Sequence, residues 1–314
     1  MNKIALLFPG QGSQTVGMAK DFYGEFSQSR VVFEEASDTI SLNLKKLCFD
    51  GPLDQLTLTE NLQPALFTAE AAIVAAINAN IEVHPFITAG HSLGEYAALY
   101  AADALSLSDG VKLCHRRGMA MQQAVPRGEG TMAAVLGLEA TTVEALCRKA
   151  RAELPNEVIE PANFNAPGQV VIAGTVDGVA KAVELLRTNP DFQGGKSIAL
   201  QVSAPFHCSL MEPARFEMGP LLSQVRFNQP KCMVIPNVSA MPTDSALIFG
   251  SLLTDQIVRP VRWEESMMKL KTLGITTAIE VGPGKVLTGL MKRINREMPM
   301  KNISTVKQMT EAFK

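Results

Sequence analysis

Five apolar residues in a row, Ile4 to Phe8, follow Met1-Asn2-Lys3 and stop at Pro9-Gly10. The run is too short for the apolar region of a signal peptide and predicts a first strand. Residues 18–50 read as helical, and Gly51-Pro52 breaks them. A strongly apolar helix is expected over 65–79, packed on a sheet. The apolar run 83–89, interrupted by His84-Pro85, predicts the next strand. Helices are expected over 95–102, which is rich in small residues, and over 108–124. The second carries the stripe Leu107, Val111, Cys114, Met121. Pro126-Arg127-Gly128-Glu129-Gly130 then punctuates the chain.

Beyond that linker the rhythm changes. Strand 131–137, helix 141–151, strand 158–165, a turn at Pro167-Gly168, strand 169–174, helix 176–187 and strand 196–202 follow one another. This β-α-β-β-α-β order is the split arrangement of a ferredoxin-like unit. It is expected as an insertion, and an insertion beside an α/β site makes a cleft wall. The remainder reads as helix 211–225, strand 231–237, helix 246–256, a turn at 258–260 and a helix opening near Trp263. Strand Thr277–Val281, the turn Gly282-Pro283-Gly284 and a last helix over 285–296 complete it. The expectation is an α/β fold. An α/β-hydrolase-like large domain with a mostly parallel sheet spans 1–126 and 203–314, and a ferredoxin-like small domain is inserted at 127–202.

Composition narrows the function. The chain has 314 residues, 46% hydrophobic and 19% charged, enough for a large core. The net charge of -2 gives no reason to expect nucleic acid or an anionic membrane as partner. Five dispersed cysteines, with no CxxC and no zinc spacing, fit reduced thiols in a cytoplasmic setting and no metal site. No run approaches the length of a membrane span.

The candidate chemistry starts at Gly90-His91-Ser92-Leu93-Gly94, between a predicted strand and a predicted helix. That context is the one a nucleophile elbow needs, and the rival reading is a tight turn without chemistry. Ser92 would be lifted clear of the sheet edge, and Leu93 can offer its backbone N–H to an oxyanion. Pro9-Gly10-Gln11-Gly12 follows the first strand and can face the elbow, because loops at the carboxyl ends of strands converge in an open α/β sheet.

Arg116 and Arg117 are split by the helical period, Arg116 to solvent and Arg117 toward the interior. Two readings of Arg117 stand: a structurally paired arginine, or a fixed fork for a substrate carboxylate. Among His84, His91, His115 and His207, elimination leaves His207 as the base for Ser92, with a structural histidine as the alternative. Cys208 reads as packing. No aspartate or glutamate between Ser92 and His207 stands out as a triad acid, so a Ser–His dyad with a neutral orienting acceptor is expected.

Seven segments occur in one order: Phe8-Pro9-Gly10-Gln11-Gly12-Ser13-Gln14, Gly90-His91-Ser92-Leu93-Gly94-Glu95-Tyr96, Arg117-Gly118, Asn165-Ala166-Pro167-Gly168-Gln169, Pro205-Phe206-His207, Pro260-Val261-Arg262-Trp263 and Glu280-Val281-Gly282-Pro283-Gly284. Together they resemble, over essentially the whole chain, the bacterial malonyl-CoA:acyl carrier protein transacylases and the related acyltransferase domains of polyketide and fatty acid synthases. The resemblance implies malonyl transfer from malonyl-CoA to the phosphopantetheine arm of acyl carrier protein, in support of fatty acid synthesis.

On that resemblance Ser92 takes the acyl group and His207 is base and acid. The backbone carbonyl of Gln256 orients the imidazole, Gln11 and Leu93 supply the oxyanion N–H groups, and Arg117 clamps the carboxylate. Phe206 crowds a methyl at C2. No permanently bound cofactor is implied, with the coenzyme A thioester entering as substrate. Lys285, Lys292, Arg293 and Arg296 lie on the expected last helix. Lys292 and Arg296 would share a face that can meet an acidic carrier. The rival readings are a serine hydrolase or thioesterase on the same elbow, and a catalytically silent carrier-docking protein.

Overall fold

The computed structural model describes residues 3–314. The strands in chain order are β1 (Ile4–Phe8), β2 (Ile87–Gly90), β3 (Gly130–Leu136), β4 (Ile159–Ala166), β5 (Gln169–Thr175), β6 (Lys196–Ala199), β7 (Met233–Ile235), β8 (Thr277–Val281) and β9 (Met300–Ile303). Two sheets result. One is parallel, in the order β7-β2-β1-β8-β9, and the other is antiparallel, in the order β4-β5-β3-β6.

β1 sits at the centre of the parallel sheet, and its alternation explains both faces. Leu6 and Phe8 join Ile279 and Val281 of β8 in a cluster with the long helix Thr59–Asn80. Ala5 and Leu7 point the other way, with Ile87, Ala89 and Ala278, onto Trp263, Met267 and Leu270 of helix Trp263–Thr272 and Leu287 and Leu290 of helix Val286–Ile294. A strand covered on both faces is apolar or has its polar groups satisfied: β1 is an unbroken hydrophobic run, and the one polar side chain of β2, Thr88, donates its hydroxyl to Ala98 O at 3.0 Å. Helix Thr59–Asn80 is long and apolar enough to cross a membrane by length and composition alone. However, 83% of its most apolar window is buried inside the protein.

The antiparallel sheet uses the same period for two partners. Ala133 and Val135 of β3, with Ile172 of β5, face helices Ala140–Glu153 and Val176–Thr188. Met132 and Ala134, with Val171 and Ala173, face the large core instead. A short bridge ties β4 to the segment before helix Trp263–Thr272: the Phe164 N–H donates to Val261 O at 2.9 Å and the Val261 N–H to Ala162 O at 2.9 Å.

Several expected boundaries move. The expected helix over 65–79 begins at Thr59, with Pro64 inside it. Proline removes one N–H donor, while the Asn61 and Leu62 N–H groups still close the first turn on Leu58 O. The helical stretch 18–50 is three helices, divided where Phe26 is extended and Ser41 left-handed. β9 and the helix Val306–Ala312 were not anticipated. The last expected helix stops at Ile294, where Asn295 turns extended and its side chain accepts from the Glu297 N–H. Arg296 therefore lies beyond the helix, and the shared face expected for Lys292 and Arg296 does not exist. Glu280, at the end of β8, caps this helix by accepting from the N–H groups of Leu287 (2.9 Å) and Thr288 (2.8 Å).

Candidate active site

β2 ends at Gly90, and helix Gly94–Ala101 begins four residues later. The turn between them is tight. A Cβ on Gly90 would lie 1.9 Å from the Gly94 carbonyl, and one on Gly94 would lie 2.2 Å from Phe8 O, so both positions require glycine. Ser92 takes a left-handed conformation, φ 52°, which is uncommon for a residue with a side chain and marks a constrained turn. Asn237, beyond β7, holds that conformation: its Oδ1 accepts from the Ser92 N–H at 2.7 Å and its Nδ2 donates to Gly90 O at 2.6 Å.

The Ser92 Oγ lies 2.7 Å from His207 Nε2. His207 Nδ1 lies 2.7 Å from the backbone carbonyl oxygen of Gln256, at the end of helix Phe249–Gln256. A carbonyl can only accept, so Nδ1 carries the proton and Nε2 is left as the acceptor for the Ser92 hydroxyl. His207 is itself left-handed, φ 59°, and 3% exposed. Burial, reinforced by the positive charge of Arg117, pushes its pKa down to about 3, so the imidazole is neutral at physiological pH.

Arg117 comes from helix Leu107–Gln123, which Ser106 caps, and its side chain is 1% exposed. Its Nη2 donates to Ser92 Oγ at 3.1 Å and to Gln256 Oε1 at 2.9 Å, and its Nη1 to Gln63 Oε1 at 2.8 Å. All three acceptors are neutral. Arg116, on the same helix, is half-exposed and pairs with Glu217.

A cavity of about 200 Å3 opens over Ser92. Gln11, Leu93, Arg117, Phe206, His207 and Met132 line it, so the loop after β1, the elbow and the second sheet meet there. Among the described residues, neither the Leu93 N–H nor the Gln11 N–H has a protein acceptor. Two free donors beside a nucleophile can serve a developing oxyanion. A larger depression of about 690 Å3, lined by His84 and Lys231, lies at the opposite, amino-terminal edge of β2 and β7 and contains none of these residues.

The other candidates fall away. His91 turns from Ser92, with Nε2 2.8 Å from Asn165 Oδ1 and its ring edge on Trp263. Cys208 is buried, with Sγ on Pro205 O at 3.0 Å. No group of three or more metal-ligating side chains occurs among the described residues.

Sequence reasoning missed Gln63, Asn237 and Glu95. Glu95 is buried three residues after Ser92, yet its carboxylate meets Gln256 and Asn237 rather than His207. The sequence signal was present for Glu95 alone: a charged residue directly inside a run of small apolar ones.

The comparisons with known proteins give the family. The acyl transferase domain family matches residues 5–312. The malonyl CoA-acyl carrier protein transacylase of Bacillus subtilis strain 168 is 45% identical over 300 residues, which is 95% of this chain and 92% of that one. The structure of an acyl-carrier-protein S-malonyltransferase from Burkholderia pseudomallei 1710b superposes with a TM-score of 0.93 at 43% identity, covering 99% of each chain. A malonyl-transacylase in complex with a type II PKS acyl-carrier protein superposes with a TM-score of 0.94 at 35% identity, again over 99% of each chain. With an identity of this size over 95% of its length, the chain belongs to the acyl transferase domain family and, within it, to the malonyl CoA-acyl carrier protein transacylases.

Proposed function

We propose that the chain moves a malonyl group from malonyl-CoA to the phosphopantetheine thiol of acyl carrier protein, through an ester on Ser92, and so supplies fatty acid synthesis. The observation that carries this reading is the position of the Ser92 hydroxyl, held between His207 Nε2 at 2.7 Å and Arg117 Nη2 at 3.1 Å. One neighbour can take its proton, and the other can hold an anion beside it.

In the first half-reaction Ser92 Oγ attacks the thioester carbonyl while His207 Nε2 takes its proton. The tetrahedral oxyanion is received by the N–H groups of Leu93 and Gln11, each contributing about 3 kcal/mol. The C–S bond then breaks, the coenzyme A thiolate takes the proton from His207, and the malonyl ester remains. The carrier thiol next gives its proton to His207 and attacks the ester. Ser92 Oγ leaves and recovers the proton. Two half-reactions at one serine make the kinetics ping-pong. The Gln256 carbonyl stabilises the imidazolium in place of an acid, which suits transient rather than standing charge.

Arg117 gives the selectivity. A malonyl carboxylate can pair with the guanidinium N–H groups that Gln63 and Gln256 leave free, and an acetyl group cannot. Phe206, buried beside His207, narrows the space at C2 against a methyl branch. The strand order of the second sheet supports reading 127–202 as a ferredoxin-like subdomain inserted into an α/β-hydrolase-like domain of residues 1–126 and 203–314. The reaction needs no resident cofactor or metal, only the coenzyme A thioester as substrate, and no nucleic acid or membrane. Its compartment on this reading is the cytoplasm.

The test is Arg117→Ala, with malonyl and acetyl loading measured side by side. Malonyl loading falls by about a hundredfold or more, the scale of one charge-assisted bidentate contact, while the malonyl-to-acetyl ratio collapses. Equal losses for both acyl groups would make Arg117 a structural arginine and remove the basis for malonyl selectivity.

A further inference from the structure

Glu95 is an ionisable side chain that the chemistry above does not use. It lies in the first turn of helix Gly94–Ala101 and is 1% exposed. One oxygen, Oε2, accepts from the Gln256 side-chain Nε2 at 2.7 Å and from the Asn237 N–H at 3.0 Å. Each of those partners touches the reacting residues. Asn237 holds the Ser92 N–H, and the Gln256 amide holds Arg117 through Oε1 at 2.9 Å and Ser92 O through Nε2 at 3.0 Å.

A glutamine amide can sit either way round, because its two ends are nearly the same size. Here the two ends face opposite requirements. Arg117 can only donate and demands the oxygen, whereas the Ser92 carbonyl and Glu95 Oε2, which already accepts from the Asn237 N–H, demand the NH2. Reversing the amide would set its oxygen against Glu95 and its NH2 against the guanidinium. We propose that Glu95 is a positioning residue that, together with the Ser92 carbonyl, fixes the polarity of the Gln256 side-chain amide and thereby aims Arg117 at the substrate carboxylate.

Glu95 is also the carboxylate whose charge is felt with Arg117 in this pocket. Burial outweighs the Asn237 and Gln256 hydrogen bonds and the charge of Arg117, and the pKa is raised to about 7. The inference rests on the reading of Arg117 as the carboxylate clamp.

The experiment compares Glu95→Met, Glu95→Gln and Gln256→Met with wild type and Arg117→Ala. The readout is the malonyl-to-acetyl loading ratio by intact-protein mass spectrometry. Methionine has similar bulk but accepts no strong hydrogen bond, whereas glutamine keeps an acceptor oxygen. Gln256→Met leaves the backbone carbonyl on His207 and removes the side-chain contacts to Glu95, Arg117 and Ser92 O, so it reports on the amide even where Glu95→Met fails to fold.

The ratio is expected to fall about tenfold or more in Glu95→Met and Gln256→Met, as for one lost hydrogen bond to a charged group, with Glu95→Gln restoring most of it. A smaller fall in both methionine variants overturns the proposal, as does malonyl and acetyl loading lost in equal proportion. If Arg117→Ala itself leaves the ratio unchanged, the clamp reading fails. If Arg117→Ala collapses the ratio and the methionine variants do not, the role of Glu95 alone fails.

Discussion

His207 is buried neutral, and that has a cost in acid. Its folded pKa is depressed to about 3 against an ordinary imidazole value of 6.5, so between those limits the unfolded chain binds the extra proton. The stability this histidine permits is complete above pH 6.5 and drains away as pH falls toward 3. The slope is at most about 1.4 kcal/mol per pH unit for one proton. His207→Gln should therefore lose less stability than wild type between pH 6.5 and pH 4, read by urea denaturation at each pH. Parallel curves would mean that His207 is not buried in the neutral form. Phe206 sits on the same loop and is 7% exposed. On the proposed role of Phe206 at C2, Phe206→Ser should raise methylmalonyl loading relative to malonyl by about tenfold, the worth of relieving a methyl clash, as read by adduct mass. An unchanged ratio would assign the discrimination to another wall residue.

At the scale of elements, the site is a meeting of carboxyl ends. β2 delivers the elbow, β1 the Gln11 loop and the segment after β7 brings Asn237, all on one edge of the parallel sheet. Because Gly94 packs 2.2 Å from Phe8 O on the same reckoning of an added Cβ, Gly94→Ala forces β1 and the elbow apart. It should cost roughly 2 kcal/mol or more in thermal or urea denaturation and reduce Ser92 acylation with it. A full-strength elbow in that variant would contradict the close approach.

These elements explain what could be read from the chain. β1 and the elbow were legible because a buried parallel strand is a continuous apolar run and a glycine-flanked turn has its own spelling, and β2 was placed by the turn that follows it. Arg117 was legible to the degree that a helix period assigns faces. Gln63, Asn237 and the Gln256 amide were not, because each acts through a contact with a residue at least 54 positions away in the sequence. Lys292 and Arg296 show the opposite error. The helical period was carried past Asn295, whose extended conformation ends it.

At the scale of the whole molecule, the two sheets share a core. Met132, Ala134, Val171 and Ala173 leave the antiparallel sheet to join the cluster under β1, and Val261 bonds across to β4 beside the sole tryptophan, Trp263. Trp263 is fully buried. Its fluorescence and the far-ultraviolet circular dichroism should therefore lose their native signals at one denaturant midpoint. Two separated midpoints would show that residues 127–202 unfold on their own. A shared core also fixes the cleft, since Met132 from one sheet and Ser92 from the other line the same cavity.

The central claim is that this cavity passes a malonyl group through Ser92 to a carrier thiol. It is tested most directly by intact-protein mass spectrometry after brief exposure to malonyl-CoA, with Ser92→Ala alongside. The account predicts a malonyl adduct on the wild type alone, discharged when phosphopantetheinylated acyl carrier protein is added. An adduct that survives on Ser92→Ala, or malonate released to water with none on the carrier, would contradict it.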